Sequence, residues 1–146
     1  MKLDKITFRI DGNPIPKPRM TKSDTWRKRP CVLKYRAFAT RVLRSYLNEC
    51  MRQSSNGRYI FDFPVSLSIS FNIVGSLNRM DLSNCVKSIE DALNRYAWED
   101  DTMQYIREYD NISAYSVCEI MNCHKKRCKI SDCTHAFTYV TISRYT

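Results

Sequence analysis

Nine consecutive residues, Val65 to Ile73 (Val-Ser-Leu-Ser-Ile-Ser-Phe-Asn-Ile), alternate apolar and polar without a fault. A period of two puts every apolar side chain on one face of a strand and the serines and asparagine on the other. Such a strand needs neighbours in a sheet and a second layer over its apolar face. The cover is predicted from two stretches with helical spacing. From Val32 to about Met51, residues Val32, Tyr35, Phe38, Ala39, Val42, Leu43, Tyr46, Leu47 and Cys50 recur at intervals of three and four, an amphipathic helix that Pro30 can open. A second helix is expected from about Ser83 to Tyr96, with Val86, Ile89, Ala92, Leu93 and Tyr96 as its core stripe.

Further strands are expected at Ile6–Asp11, Met103–Tyr109, Ala114–Met121 and Ala136–Ser143, in the order β, α, β, α, β, β, β. The fold class that follows is α/β (α+β): one domain over residues 1–146, a mixed sheet packed with two main helices, and no internal repeat. No apolar run approaches the roughly 18 residues of a membrane span, and the first residues lack the apolar stretch of a signal peptide. The expectation is a cytoplasmic protein with no membrane partner. Between the first strand and the first helix, Gly12, Asn13, Pro14, Pro16 and Pro18 forbid regular structure. Three prolines in five residues make a stiff, extended loop, which runs on into a basic stretch with Trp26.

Charge is segregated. The net +9 divides into 15 basic and 4 acidic residues over 1–60, 4 and 9 over 61–110, and 5 and 2 over 111–146. Basic flanks draw a polyanion such as nucleic acid, because each Lys or Arg that reaches a phosphate releases condensed counterions. Lys17, Arg19, Lys22, Arg27, Lys28, Arg29 and Lys34 are the candidate phosphate contacts, with an ordinary solvated surface as the alternative. The acidic middle would repel the same partner unless a cation intervenes, as in a metal-dependent nuclease.

Asp81 stands just before the second helix; Asp100 and Asp101 stand just after it. If that helix returns to the sheet edge from which it left, the two groups of carboxylates meet. Clustered carboxylates repel unless a cation shares the site, and hard oxygen ligands suit Mg²⁺, with Mn²⁺ able to substitute. Lys87, one turn into the helix, is placed to reach a reacting phosphate. On a different side from the core stripe, Asn84, Lys87, Asp91 and Asn94 form a polar stripe. The alternatives are an acidic turn for Asp100-Asp101 and an i,i+4 pair with Asp91 for Lys87.

Three ordered motifs carry a resemblance: Asp81-Leu82-Ser83-Asn84-Cys85-Val86-Lys87, then Glu90-Asp91-Ala92-Leu93-Asn94, then Trp98-Glu99-Asp100-Asp101. Together they resemble the RusA family of Holliday-junction resolvases, whose pattern is Asp-x-Asp-Asn-x-x-Lys, then Asp-Ala-Leu, then an aromatic residue and an Asp-Asp pair. Asn13 to Thr21 with Trp26, Arg29-Pro30 and Tyr35-Arg36 looks like the N-terminal region of phage and prophage members. The resemblance covers about residues 5–115. It implies a homodimeric, Mg²⁺-dependent endonuclease that binds four-way DNA junctions and nicks strands symmetrically, in a bacterial cell or phage-infected host. By position it implies catalytic roles for Asp81, Asp101 and Lys87, metal contacts from Asp81, Asp100 and Asp101, and accompanying polar roles for Asn84 and Asp91. Ser83 departs from the pattern, which has an aspartate there. A hydroxyl is a neutral and weaker metal ligand, and Ser83 could instead cap the helix.

Seven cysteines in a chain read as unexported are taken as thiols or metal ligands before disulfides. Cys123, Cys128, Cys133 and His135, in a basic Cys/His-rich loop over 122–135, are a candidate Zn²⁺ set. The spacing lacks a Cys-x2-Cys pair, so free thiols are the stronger reading. Two other functions compete with the resolvase: a catalytically weak junction-binding protein that lost its full metal site at Ser83, and a small zinc-dependent DNA-binding module.

Overall fold

The nine-residue alternation forms the central strand that organises the sheet. The computed structural model describes residues 4–25, 29–53, 61–73, 81–99, 105–116 and 136–146. Its elements are β1 (Lys5–Asp11), a 3-10 turn (Lys22–Thr25), α1 (Pro30–Arg52), β2 (Val65–Ile73), α2 (Leu82–Leu93), β3 (Ile106–Ser116) and β4 (Phe137–Arg144). The sheet order is β1-β4-β2-β3. β4 runs antiparallel to both β1 and β2, whereas β2 and β3 are parallel.

Val65, Leu67, Ile69, Phe71 and Ile73 of β2 are all fully buried. They join Ile6, Phe8 and Ile10 of β1, Val140 and Ile142 of β4, Phe38, Val42 and Tyr46 of α1, and Ile89 and Leu93 of α2 in one cluster. Each side chain of this size contributes roughly 1.5–3 kcal/mol by leaving water, so the alternation is enforced along the whole strand. Both helices therefore cover one face of the sheet, while Ser68, Ser70 and Asn72 are half-buried on the other. This is the expected α+β arrangement of a mixed sheet with two helices. Among the described residues no helix is long and apolar enough to cross a membrane.

Two expectations are corrected. The strands predicted at Met103–Tyr109 and Ala114–Met121 are, within the described residues, one strand, β3; positions 103, 104 and 117–121 lie outside those residues. Ile106, Tyr109 and Ile112 recur every three residues, which a straight strand cannot hold on one face. The pairing with β2 slips by one residue at Arg107 and again at Asp110, so Ile106, Tyr109 and Ile112 oppose Val65, Leu67 and Ile69. The second helix ends at Leu93, not Tyr96. Arg95 adopts a left-handed φ of 68°, and the backbone N–H groups of Tyr96 and Ala97 both turn back to the Leu93 carbonyl. The early stop brings Trp98 into the core with no exposed surface.

The proline-rich loop is pinned along α2. The Lys17 amide donates to the Asn84 carbonyl at 3.1 Å, and the buried Ser88 hydroxyl donates to the Ile15 carbonyl at 2.6 Å. Further along, Asp24 is only 3% exposed. It accepts two hydrogen bonds of 2.7 Å from the Arg29 guanidinium and one from the Thr21 amide. Arg29 also donates to the Arg19 carbonyl, and Arg36 donates to the Asp24 carbonyl. The guanidinium of Arg29, then the Thr21 amide, hold the Asp24 carboxyl well below its ordinary 3.8. This clasp ties the described ends of the basic loop to the start of α1. Trp26, Arg27 and Lys28 lie outside the described residues.

Because the folded-state pKa of Asp24 is lowered, the carboxylate's contribution is complete above the ordinary 3.8 and is lost progressively below it, as pH falls through the lower folded-state value. Wild type should therefore exceed Asp24→Asn in urea midpoint at neutral pH, with the margin shrinking below pH 3.8; a margin independent of pH would refute the clasp. Gly12 has φ +93°, and a Cβ there would meet only the mobile Nη1 end of Arg41, at 2.9 Å. Gly12→Ala should cost about 1–2 kcal/mol in urea unfolding, from the backbone conformation alone.

Candidate active site

Asp81 caps α2. Its Oδ1 accepts from the Asn84 amide at 3.2 Å and its Oδ2 from the Asn84 side-chain amide at 3.0 Å. The pair offsets part of the unsatisfied first turn and fixes the orientation of an exposed carboxylate. The cap role proposed for Ser83 is therefore filled by Asp81, and Ser83 is an exposed residue of the first helical turn. Cys85, in the same motif, is fully buried, and burial, with Asp81 nearby, pushes its thiol up to about 12. Such a thiol is neither a nucleophile nor a ligand at neutral pH.

Lys87 pairs with Asp91 one turn later, at 3.5 Å. Asp91 also binds the Lys17 ammonium, so two lysines share one carboxylate whose side chain is 16% exposed. Tyr35 of α1 packs beside this group. Burial raises its hydroxyl pKa; Lys17 and Lys87 oppose the rise and Asp91 adds to it. The cluster keeps one excess positive charge further along α2, with Lys87 six residues and Asp91 ten residues beyond Asp81, roughly 9 and 15 Å along the axis. The positive end of the helix dipole lies apart from it, beside the oriented carboxylate of Asp81.

The other predicted residues divide. Arg19, Lys22 and Lys34 are exposed. Arg29 is committed to Asp24, and Lys17 to Asp91. Asp100 and Asp101 lie outside the described residues, as do Cys123, Cys128, Cys133 and His135. The expected meeting of Asp81 with the acidic pair therefore falls outside them too. Because β2 and β3 are parallel, the 12-residue helix runs from the end of β2 towards its beginning, a length of roughly 18 Å. Tyr105 bonds Val65 there, and Ala97 bonds Phe61. Among the described residues no three His, Cys, Asp or Glu side chains are grouped to hold a metal ion. Asp81 and the Ser83 hydroxyl nevertheless suit Mg²⁺, which takes one or two carboxylates and keeps its remaining positions for water and phosphate.

Glu90 and Tyr109 were not among the predicted site residues. Glu90 is 7% exposed and accepts a hydrogen bond from the Tyr109 hydroxyl. Burial, then Glu90, raises the Tyr109 pKa. Ser83, Lys87 and Glu90 follow helical spacing of four and three, a signal available in the sequence. Tyr109 had none, since its facing depends on the two slips in β3.

The family model described as Endodeoxyribonuclease RusA matches residues 11–111, more than two thirds of the chain. No curated protein matches it. The matched span runs from the end of β1 through the Asp81 cap and the lysine cluster into β3, and the chain belongs to the RusA endodeoxyribonuclease family.

Proposed function

We propose that the protein is a Mg²⁺-dependent, structure-specific endodeoxyribonuclease that resolves four-way junctions by paired nicks, in recombination and repair within a bacterial or phage-infected cytoplasm. The observation that carries this reading is the carboxylate of Asp81, oriented by Asn84 at the start of the helix that also carries the lysine pair on Asp91. Lys87 and Lys17 would draw the phosphate strand along α2, and the amides of the helix start would add to the attraction beside Asp81. Asp81, with Asp100 and Asp101 by the family pattern, would hold the metal, and Ser83 would add a neutral oxygen. Bound Mg²⁺ supplies charge neutralisation at the phosphate and acidification of a water. Two equivalent nicks call for two equivalent sites, for which a two-fold dimer is the economical assembly.

A second reading, a junction-binding protein with little cleavage, draws support from Ser83, a hydroxyl where the family pattern has a carboxylate. Binding measured in EDTA, beside cleavage of the same labelled junction in Mg²⁺ or Mn²⁺, separates the two. Preferential, metal-dependent nicking of the junction over linear duplex supports the nuclease.

Asp81→Asn is a clean probe, because Asn caps a helix about as well as Asp. It should lower nicking on the order of 10²-fold while junction binding in EDTA is unchanged or tighter; retained cutting would remove Asp81 from the site. Asp101→Asn, assayed in parallel, should behave alike if the pair belongs to the same centre. Ser83→Asp should lower the Mg²⁺ needed for half-maximal cleavage, since it adds a charged ligand beside Asp81 in a helical first turn that favours acidic residues. A folded Ser83→Asp protein needing the same or more Mg²⁺ would turn position 83 away from the metal.

A further inference from the structure

Asp91 has two cations where one would neutralise it. Its side chain is 16% exposed and takes both the Lys17 and the Lys87 ammonium. A partly buried carboxylate needs one counterion, because leaving its charge uncompensated is costly. The second is surplus. Which lysine can leave follows from how each is held. Lys17 stands between Pro16 and Pro18, and proline restrains the residue before it to extended backbone. Its amide donates to the Asn84 carbonyl at 3.1 Å, and the nearby Ile15 carbonyl accepts from Ser88. Lys87 is less constrained. Its ammonium stands 3.5 Å from Asp91, beyond the usual N–H···O length, and its side chain is 50% exposed against 33% for Lys17. Resting on the nuclease reading, we propose that Lys17 is a positioning residue: as the fixed counterion of Asp91, it leaves Lys87 able to swing from Asp91 towards Asp81 when the phosphate of the cut strand arrives.

The helix sets the direction of that swing. Lys87 reaches forward along α2 to pair with Asp91, four residues on. The Cα–Cβ bonds of a helix tilt towards its N-terminus, so a released Lys87 falls back over the turn that carries Ser83, next to the Asp81 cap. The separation of roughly 9 Å along the axis is shortened by the swing, and a phosphate between Lys87 and Asp81 completes the reach. Asp91, still neutralised by Lys17, does not pull the ammonium back. Without Lys17, Asp91 would keep Lys87 as its remaining cation, and the phosphate would have to win it from a carboxylate.

The test reads the position of Lys87 through salt. For the full chain on a labelled four-way junction in EDTA, each phosphate contact adds about 0.9 to the slope of log K against log salt. Lys17→Met should lose about 0.9 of that slope, because Asp91 then retains Lys87. Adding Asp91→Asn to Lys17→Met should restore the wild-type slope. Lys87→Met should lose the same amount, and adding Asp91→Asn to it should restore nothing, since Lys17 is held by its backbone. In Mg²⁺, nicking should be slowed on the order of 10²-fold in Lys17→Met, the scale of a misplaced group at the reacting centre. It should recover in Lys17→Met/Asp91→Asn and be kept in Lys17→Arg. An unchanged slope in Lys17→Met would overturn the handover. So would a slope that Asp91→Asn fails to restore, which would make Lys17 itself a phosphate contact. Restoration in Lys87→Met/Asp91→Asn would overturn it too, and that variant decides alone if Lys17→Met does not fold. If no junction is cut with metal, the nuclease reading fails, while the slopes still decide the roles of the two lysines.

Discussion

The parallel pairing of β2 with β3 is the constraint on which the site depends. Two parallel neighbours cannot be joined by a tight turn, so the chain must cross over the sheet, and α2 makes that crossing. The direction of the helix is then settled: its first turn lies towards the edge where β2 ends. β1 ends at the same edge, because Asp11 is joined through Phe137 of β4 to Asn72 of β2. The stiff loop leaving β1 therefore arrives where α2 begins; the Lys17 amide meets Asn84 there, and its ammonium reaches along the helix to Asp91, about two turns on. In open α/β sheets ligands gather outside the carboxyl ends of parallel strands, and the candidate phosphate site has that location by the same logic.

Basic residues in this protein are of two kinds. Lys17 and Arg29 spend their charge on Asp91 and Asp24, which costs them long-range pull but holds them in place. Arg19 and Lys34 stand exposed and act at a distance, within the Debye length set by salt. Composition counts both kinds alike. The paired residues shape the surface that the exposed ones make attractive, and the carboxylate at each hub, Asp24 or Asp91, offsets repulsion among the cations around it.

Much of the fold was legible because the signals were periodic. β2 was bounded correctly to the residue, and α1 and α2 were placed from spacings of three and four. The third strand was misread because its core-facing residues, Ile106, Tyr109 and Ile112, obey neither a period of two nor a helical repeat; only the partner strand shows where the extra residues drop out. The motif on α2 marked Asp81, Asn84, Lys87 and Asp91, and its spacing offered the Lys87–Asp91 pair, but not the partners of the others. That Asp81 would cap its own helix, that Lys17 would reach Asp91 from 74 residues away, and that Asp24 would be buried under Arg29 are tertiary facts without a local signature.

β3 is an outer strand among the described elements, and its outer backbone edge bears on how the molecule behaves in a crowded solution. An even ladder of unpaired amides and carbonyls is a template on which a foreign strand can grow. In β3 the unpaired residues Arg107 and Asp110 interrupt that ladder twice within five positions, and each interruption bends and twists the edge. An incoming strand could match only short pieces of it. The same two insertions that turn Tyr109 towards Glu90 thus leave the margin of the sheet poorly suited to seeding aggregation, with charged side chains standing at both breaks.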